Sequence, residues 1–195
     1  MLGMKRGERI TRYYPNNYLR GKCDDGNQGE GKRTLAISRS APFCVTLGLG
    51  KSDISETVYP DVNMLSLPYE DDSFDYVVSE YVIEHVEGDI FCAIDECKRV
   101  LKPGGVAVHL TNFMYPIHGV PYDYWRYTPS ALKLLHKNWS EILEVGGWGN
   151  HYLMLLRVVD LFYVKVPECR FHPINWIANR NDPDFPMATW IIVRK

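Results

Sequence analysis

A chain of 195 residues, 46% hydrophobic and 13% aromatic, has the length of one domain and enough apolar content to bury a sizeable core, unlike disordered or low-complexity sequences. Lys plus Arg is 22 against 24 for Asp plus Glu, a formal net charge of −2, which supplies neither a basic footprint for nucleic acid nor a polybasic membrane patch. No apolar run reaches the roughly 18 residues of a membrane span, and the opening MLGMKRGERITRYY lacks the apolar stretch of a signal peptide. The cysteines (Cys23, Cys44, Cys92, Cys97, Cys169) are odd in number and include no Cys-x-x-Cys pair, so a disulfide framework or a tetrahedral zinc site is not expected. A reducing, cytoplasmic setting fits this usage.

In chain order, Pro15 to Lys32 is rich in Gly, Asn, Asp and charge and reads as a loop. Lys32 to Ser40 is compatible with a short helix stopped by Pro42, and Phe43 to Leu49 reads as a short buried strand. Tyr76 to Ser79 is a compact apolar strand of the kind covered on both faces in a parallel sheet. Ile90, Ile94, Cys97 and Leu101 recur at helical spacing and predict a helix from about Asp89 to Leu101, with acids early and Lys98, Arg99 and Lys102 late. Lys102-Pro103-Gly104-Gly105 ends it, and Val106 to Leu110 follows as a strand. Strand, helix, turn and strand make a βαβ unit, so these two strands should be adjacent, parallel and central. Thr128-Pro129 caps a helix to about Lys137, Trp139 to Val145 and Met187 to Arg194 read as late strands, and Leu153 to Val166 reads as a packing helix.

Three stretches now carry a resemblance. Asn63-Met64-Leu65-Ser66-Leu67-Pro68-Tyr69-Glu70-Asp71-Asp72-Ser73-Phe74-Asp75, then Glu84-His85-Val86, then Arg99-Val100-Leu101-Lys102-Pro103-Gly104-Gly105 stand in the order and spacing of the class I S-adenosylmethionine-dependent methyltransferases, type 11 branch. The loop Tyr115 to Pro129 resembles the one after the fifth strand in a subgroup associated with sugar and glycan biosynthesis. The resemblance implies an α/β fold with a Rossmann-like, doubly wound, mostly parallel sheet and a closing antiparallel strand near the C-terminus. It also implies one methyltransferase-like domain over residues 1–195, with an atypical portion over 1–42, and S-adenosyl-L-methionine as cofactor.

The family's first strand ends in an acid and a Gly-x-Gly-x-Gly turn, where only glycine permits close approach to the cofactor. The nearest candidate here is Gly26, Gly29 and Gly31, a degenerate version with an extra residue between the first two glycines. The family's second strand ends in a ribose-binding acid; the strand read at Val45 to Leu49 ends in glycine, with Asp53 and Glu56 only nearby. Asn63 and Met64 are the implied adenine contacts, Asn63 standing where Asp is usual, and Ser79 and Glu80 are implied cofactor contacts at a strand's carboxyl end. On the post-strand-five loop, His118 and Asp123 are the candidate general bases, with Arg126 and five aromatic residues beside them. Glu84-His85 is read as shaping its turn. Methyl transfer to a small-molecule polar acceptor, a sugar hydroxyl among the options, is one reading; a methyltransferase-like binding module without cofactor affinity is the other. No nucleic-acid or membrane partner is expected.

Overall fold

The computed structural model describes residues 6–119 and 122–195. The elements are β1 (Arg6–Arg9), α1 (Ile10–Leu19), β2 (Arg33–Ile37), α2 (Ala41–Thr46), β3 (Asp53–Glu56), β4 (Phe74–Glu80), α3 (Ile90–Val100) and β5 (Leu101–Asn112). They continue with α4 (Pro129–Leu135), β6 (Glu141–Trp148), α5 (His151–Val158), β7 (Lys165–Pro167), α6 (Pro173–Asn179) and β8 (Ala188–Arg194).

Six strands form one sheet in the order β3-β2-β4-β5-β8-β6. β3, β2, β4 and β5 run parallel, and β8 inserts antiparallel between β5 and β6. Tyr76 to Glu80 pair in parallel with Val106 to Leu110 in the middle of this sheet, as the βαβ reading requires. Side chains alternate across its central stretch. Ala36, Val78, Val108, Leu110, Trp190 and Ile192 enter one core, and Leu35, Ile37, Val77, Ala107, Ile191 and Val193 enter the other. Ile10 and Leu19 of α1 and Leu153 of α5 cover the first face; Ile90, Ile94 and Cys97 of α3 and Leu132 of α4 cover the second. The architecture is a doubly wound α/β sheet with a closing antiparallel strand.

The second half of the chain follows its local signals. Asp89 caps α3 by accepting from the Phe91 amide at 2.9 Å, and Ile90, Ala93, Ile94, Cys97 and Val100 form its buried face. Thr128 caps α4 through the Ala131 amide with Pro129 in its first turn.

The first half departs from them. Arg33–Ile37 is a central strand and not a helix, because pairing on both edges and burial on both faces outweigh the helix-forming character of Arg, Leu and Ala. The run Phe43 to Leu49 is not a strand: Pro42 sits in the first turn of α2, and Phe43, Cys44 and Leu47 bury one helical face. Gly48 ends the segment at φ +90°, where an added Cβ would stand 2.7 Å from that of Asp24. Residues 15–19 belong to α1 despite Pro15 inside it, so the loop begins only at Arg20. Leu153 to Val166 splits into the end of α5, a turn and β7, which pairs antiparallel with β1 in a separate two-stranded ribbon. No helix among the described residues is long and apolar enough to cross a membrane.

Candidate functional site

Parallel sheets bind ligands where the carboxyl ends of adjacent strands leave a crevice. Here those ends are Ile37 of β2, Glu56 of β3, Glu80 of β4 and Asn112 of β5. A cavity of about 310 Å³ opens there, with Ile37, Ser38, Tyr59, Asn63, Met64 and Tyr81 on its wall. A second cavity of about 170 Å³ lies beside it, lined by Arg9, Arg12, Tyr81, Asn112, Tyr115 and His118 among others. Tyr81, at φ 55°, is shared by both.

Asn63 and Met64 line the larger cavity together. Asn63 Oδ1 accepts from the Leu65 amide at 2.9 Å, which fixes the side chain in an Asx turn, and Met64 is buried. The other cofactor candidates are not brought to the same place. Gly26, Gly29 and Gly31 precede β2, at the amino ends of the strands; the Lys32 amide donates to Gly29 O, and Gly29 packs on Leu49 and Ser52. They were matched to a turn that follows the first strand, and the strand that precedes them in that reading does not exist. Ser79 faces the interior, fully buried, with Oγ 2.7 Å from His109 Nδ1. Glu80 lines neither cavity. Its carboxylate, 7% exposed, pairs with Arg12 at 2.6 Å. Burial raises the Glu80 pKa, with the Arg12 charge opposing that rise. Glu80→Ala therefore strands a guanidinium and costs stability, contrary to the neutral effect that a crevice-facing acid would give.

The turn that does follow β2 is Ser38-Arg39-Ser40. Ser38 and Arg39 have φ of 53° and 67°, the left-handed region glycine normally occupies. Their amides donate to Thr57 Oγ1 and Thr57 O, and the Ala41 amide donates to Glu56 Oε1 at 2.9 Å. Ser40 Oγ donates to Ile37 O and accepts from the Glu80 amide. Glu56 is the acid that ends the strand next to β2. Sequence reasoning places Glu56 only near the ribose position, because it puts the preceding strand a full element away.

On the post-β5 loop, Asp123 is buried, its side chain 1% exposed. It accepts from both terminal nitrogens of Arg126, from the His118 amide at 2.9 Å and from His118 Nδ1 at 3.0 Å. Burial pushes its carboxyl up, but the Arg126 and His118 hydrogen bonds outweigh this and hold it far below the usual carboxylate range. An ionised carboxylate only accepts, so His118 Nδ1 carries the proton and Nε2 is the free basic nitrogen of a ring that lines the second cavity. Asp123 thus has no capacity left to act as a base itself; it orients His118. Val120 and Pro121 of this loop lie outside the described residues.

Glu84 ties the loop down. Its carboxylate, fully buried, accepts from Thr111 Oγ1 at 2.8 Å and Asn112 Nδ2 at 2.6 Å, and its carbonyl accepts from the Tyr124 and Trp125 amides. His85 Nδ1 donates to Tyr122 O, and Trp125 Nε1 donates to Val86 O. Glu84, His85 and His118 each offer a ligand-type atom within 4.8 Å of the others, and each already has the protein partners just described. These bonds read as a polar hub. Glu84→Ala leaves two buried donors unpaired and is expected to lower stability by about 2–4 kcal/mol, read as a shift in the urea midpoint at unchanged slope. Glu84→Gln, which keeps an acceptor, should lose visibly less.

The comparisons with known proteins agree with this geometry. Residues 29–109 match the family model described as a methyltransferase domain, a span running from the loop before β2 to the middle of β5. Demethylmenaquinone methyltransferase of Bacillus velezensis is 27% identical over 107 residues, 52% of this chain and 46% of that protein. The match thus spans about half the length of that relative. In three dimensions the chain is similar to a putative sarcosine dimethylglycine methyltransferase from Galdieria sulphuraria, with TM-score 0.58, 16% identity and coverage of 94% and 86% of the two chains. It is likewise similar to Haemonchus contortus phosphoethanolamine N-methyltransferase 2, solved with S-adenosyl-L-methionine, at TM-score 0.55, 18% identity and coverage of 94% and 52%. At such identities the structural likeness speaks for the fold. Residues 29–109 thus match a methyltransferase domain, and the strand order and crevice are similar to those of S-adenosylmethionine-dependent methyltransferases.

Proposed function

We propose that the chain binds S-adenosylmethionine in the larger cavity and transfers its methyl group to a small polar acceptor held in the second. The observation that carries this is the pairing of two cavities across Tyr81, one with Asn63 and Met64 on its wall and the other with His118. The nucleoside half fits: Ile37, Tyr59 and Met64 give apolar walls for a flat heterocycle, and the Asn63 amide is held in place to meet its polar edge. Glu56 ends β3 at the same edge of the sheet, but it lines neither cavity and its Oε1 accepts from the Ala41 amide. The turn at Ser38 to Ser40 fits less closely, since side chains occupy positions that the family leaves to glycine.

When bound, the cofactor supplies a methyl group already activated by its sulfonium, so most of the rate comes from alignment. His118 Nε2 takes the acceptor's proton as its lone pair attacks, Asp123 keeps the ring in the required tautomer, and Arg126 keeps Asp123 ionised. The resemblance of the Tyr115 to Pro129 loop supports a sugar or glycan-precursor hydroxyl as acceptor.

Calorimetric titration with S-adenosylhomocysteine tests the reading. Binding is expected, weakened about tenfold in Asn63→Ala, the loss of one to two polar contacts to the base. Absence of heat at about 1 mM ligand would leave the second reading, a methyltransferase-like binding module. That reading has its own observation: the amides of Ser38, Arg39 and Ala41 are all spent on Thr57 and Glu56.

A further inference from the structure

We infer that the second cavity is an anion subsite, so that the acceptor carries a carboxylate or phosphate group clasped by Arg9 and Arg12 while its reactive hydroxyl or amine lies at His118. The inference rests on the two-cavity reading above and gives the acceptor a chemical class. Arg9 at the end of β1 and Arg12 in the first turn of α1 line a space of about 170 Å³ together with Thr11, Tyr115, Tyr163 and Tyr81, whose hydroxyl already donates to Thr11 O. Arg12 is held in place, its Nη1 donating to Glu80 and its guanidinium 5.0 Å from the Tyr81 ring centroid, so one edge of its fork is fixed before any ligand arrives. Glu80 offsets the charge of Arg12. Arg9 has no carboxylate within ion-pair distance among the described residues, which leaves the cavity with net positive charge. Burial pushes the Tyr115 phenol up, so it stays a hydrogen-bond donor at neutral pH. Donors with a surplus positive charge in a small recess recognise an anionic oxygen group rather than a neutral polyol.

His118 lines the same recess, so an anion on the arginines sets the far end of the molecule near the basic nitrogen. Tyr81 lines both recesses, whereas Arg9, Arg12 and His118 line only this one and Asn63 and Met64 only the other, so the anion is assigned to the acceptor rather than to the cofactor's own carboxylate.

The test is calorimetric titration with glycolate, inorganic phosphate and neutral ethylene glycol, each with and without saturating S-adenosylhomocysteine. Glycolate, phosphate or both should bind, with affinity unchanged or improved by S-adenosylhomocysteine, and ethylene glycol should not. Whichever anion binds more tightly tells carboxylate from phosphate. Arg9→Met should weaken that binding about tenfold or more, as expected for losing a charged hydrogen-bonding partner. Arg12→Lys serves as the second variant because it keeps a charge beside Glu80; its loss of the bidentate fork should weaken the anion with the melting temperature retained. Displacement of the anion by S-adenosylhomocysteine would make the arginines a clasp for the cofactor and overturn the inference, as would anion binding insensitive to Arg9→Met. Arg9-dependent anion binding in a chain that takes no S-adenosylhomocysteine would uphold the subsite while the methyl-transfer reading fails.

Discussion

Replacing His118 with alanine is expected to lower methyl transfer by about two to four powers of ten while leaving S-adenosylhomocysteine affinity unchanged, the usual worth of a positioned general base. The geometry sets the terms. His118 Nδ1 is committed to Asp123, so any proton transfer falls to Nε2, and the residue lines the second cavity but not the one bearing Asn63 and Met64. Asp123→Asn should reproduce part of the loss through a different cause. An amide can donate where the carboxylate could only accept, which lets the imidazole settle in the other tautomer, and Arg126 loses its counter-charge. Turnover is read as S-adenosylhomocysteine formed with small hydroxy acids as acceptors. Added imidazole should restore part of the rate in His118→Ala, a rescue that a purely structural residue would not show. Full activity in the alanine variant would mean that alignment alone carries the reaction.

The proposed roles of His118 and Asp123 show where sequence reasoning ends. Both were legible as candidates because they share a loop after a well-marked strand, but which of the two holds the proton depends on Arg126 folding back onto Asp123, a contact that spacing does not encode. The segment β4-α3-β5 was legible because each signal is local: a compact apolar strand, a cap at Asp89 and a helical repeat ended by Pro103 and Gly104. The amino-terminal half was not. Thr34 to Ile37 and Phe43 to Leu47 are short apolar runs, for which periodicity cannot separate strand from helix, and tertiary pairing decided against local propensity in both. That single exchange moved the expected glycine turn to the wrong end of the sheet and left Glu56 as merely a nearby acid. Pro42 was the available sign, since proline in the first turn marks a helix start as readily as it stops a helix.

Stability is expected to fall between pH 7 and pH 5 by about 2 kcal/mol from His136 alone, with His109 adding in the same direction. The two rings lie 5.3 Å apart under the sheet, and His136 packs against Trp139 at the same distance. His136 Nδ1 donates to Leu132 O, His109 Nδ1 meets Ser79 Oγ, and neither Nε2 has a partner among the described residues. Protonating either one would bury a charge with nothing to accept its new hydrogen. Burial therefore lowers the His136 pKa to about 4, and burial, with the neighbouring His136, takes His109 well below the ordinary value. The sign follows from proton counting. Below about pH 6.5 the unfolded chain binds protons at these histidines and the folded chain does not, so stability drops as pH falls, until the folded-state value is reached. Glu80 and Glu84, raised by burial, oppose this trend because the folded state takes up their protons first. Asp123, Asp75 and Glu96, held low by their partners, add to the loss only where free carboxylates titrate, below about pH 4.5. The histidine contribution is isolated by His136→Gln, which is neutral at every pH and retains a donor for Leu132 O. Urea midpoints measured at pH 7 and pH 5 should differ by about 2 kcal/mol less in that variant than in the parent. Equal losses in both proteins would show that His136 titrates freely in the folded state, with water reaching the ring.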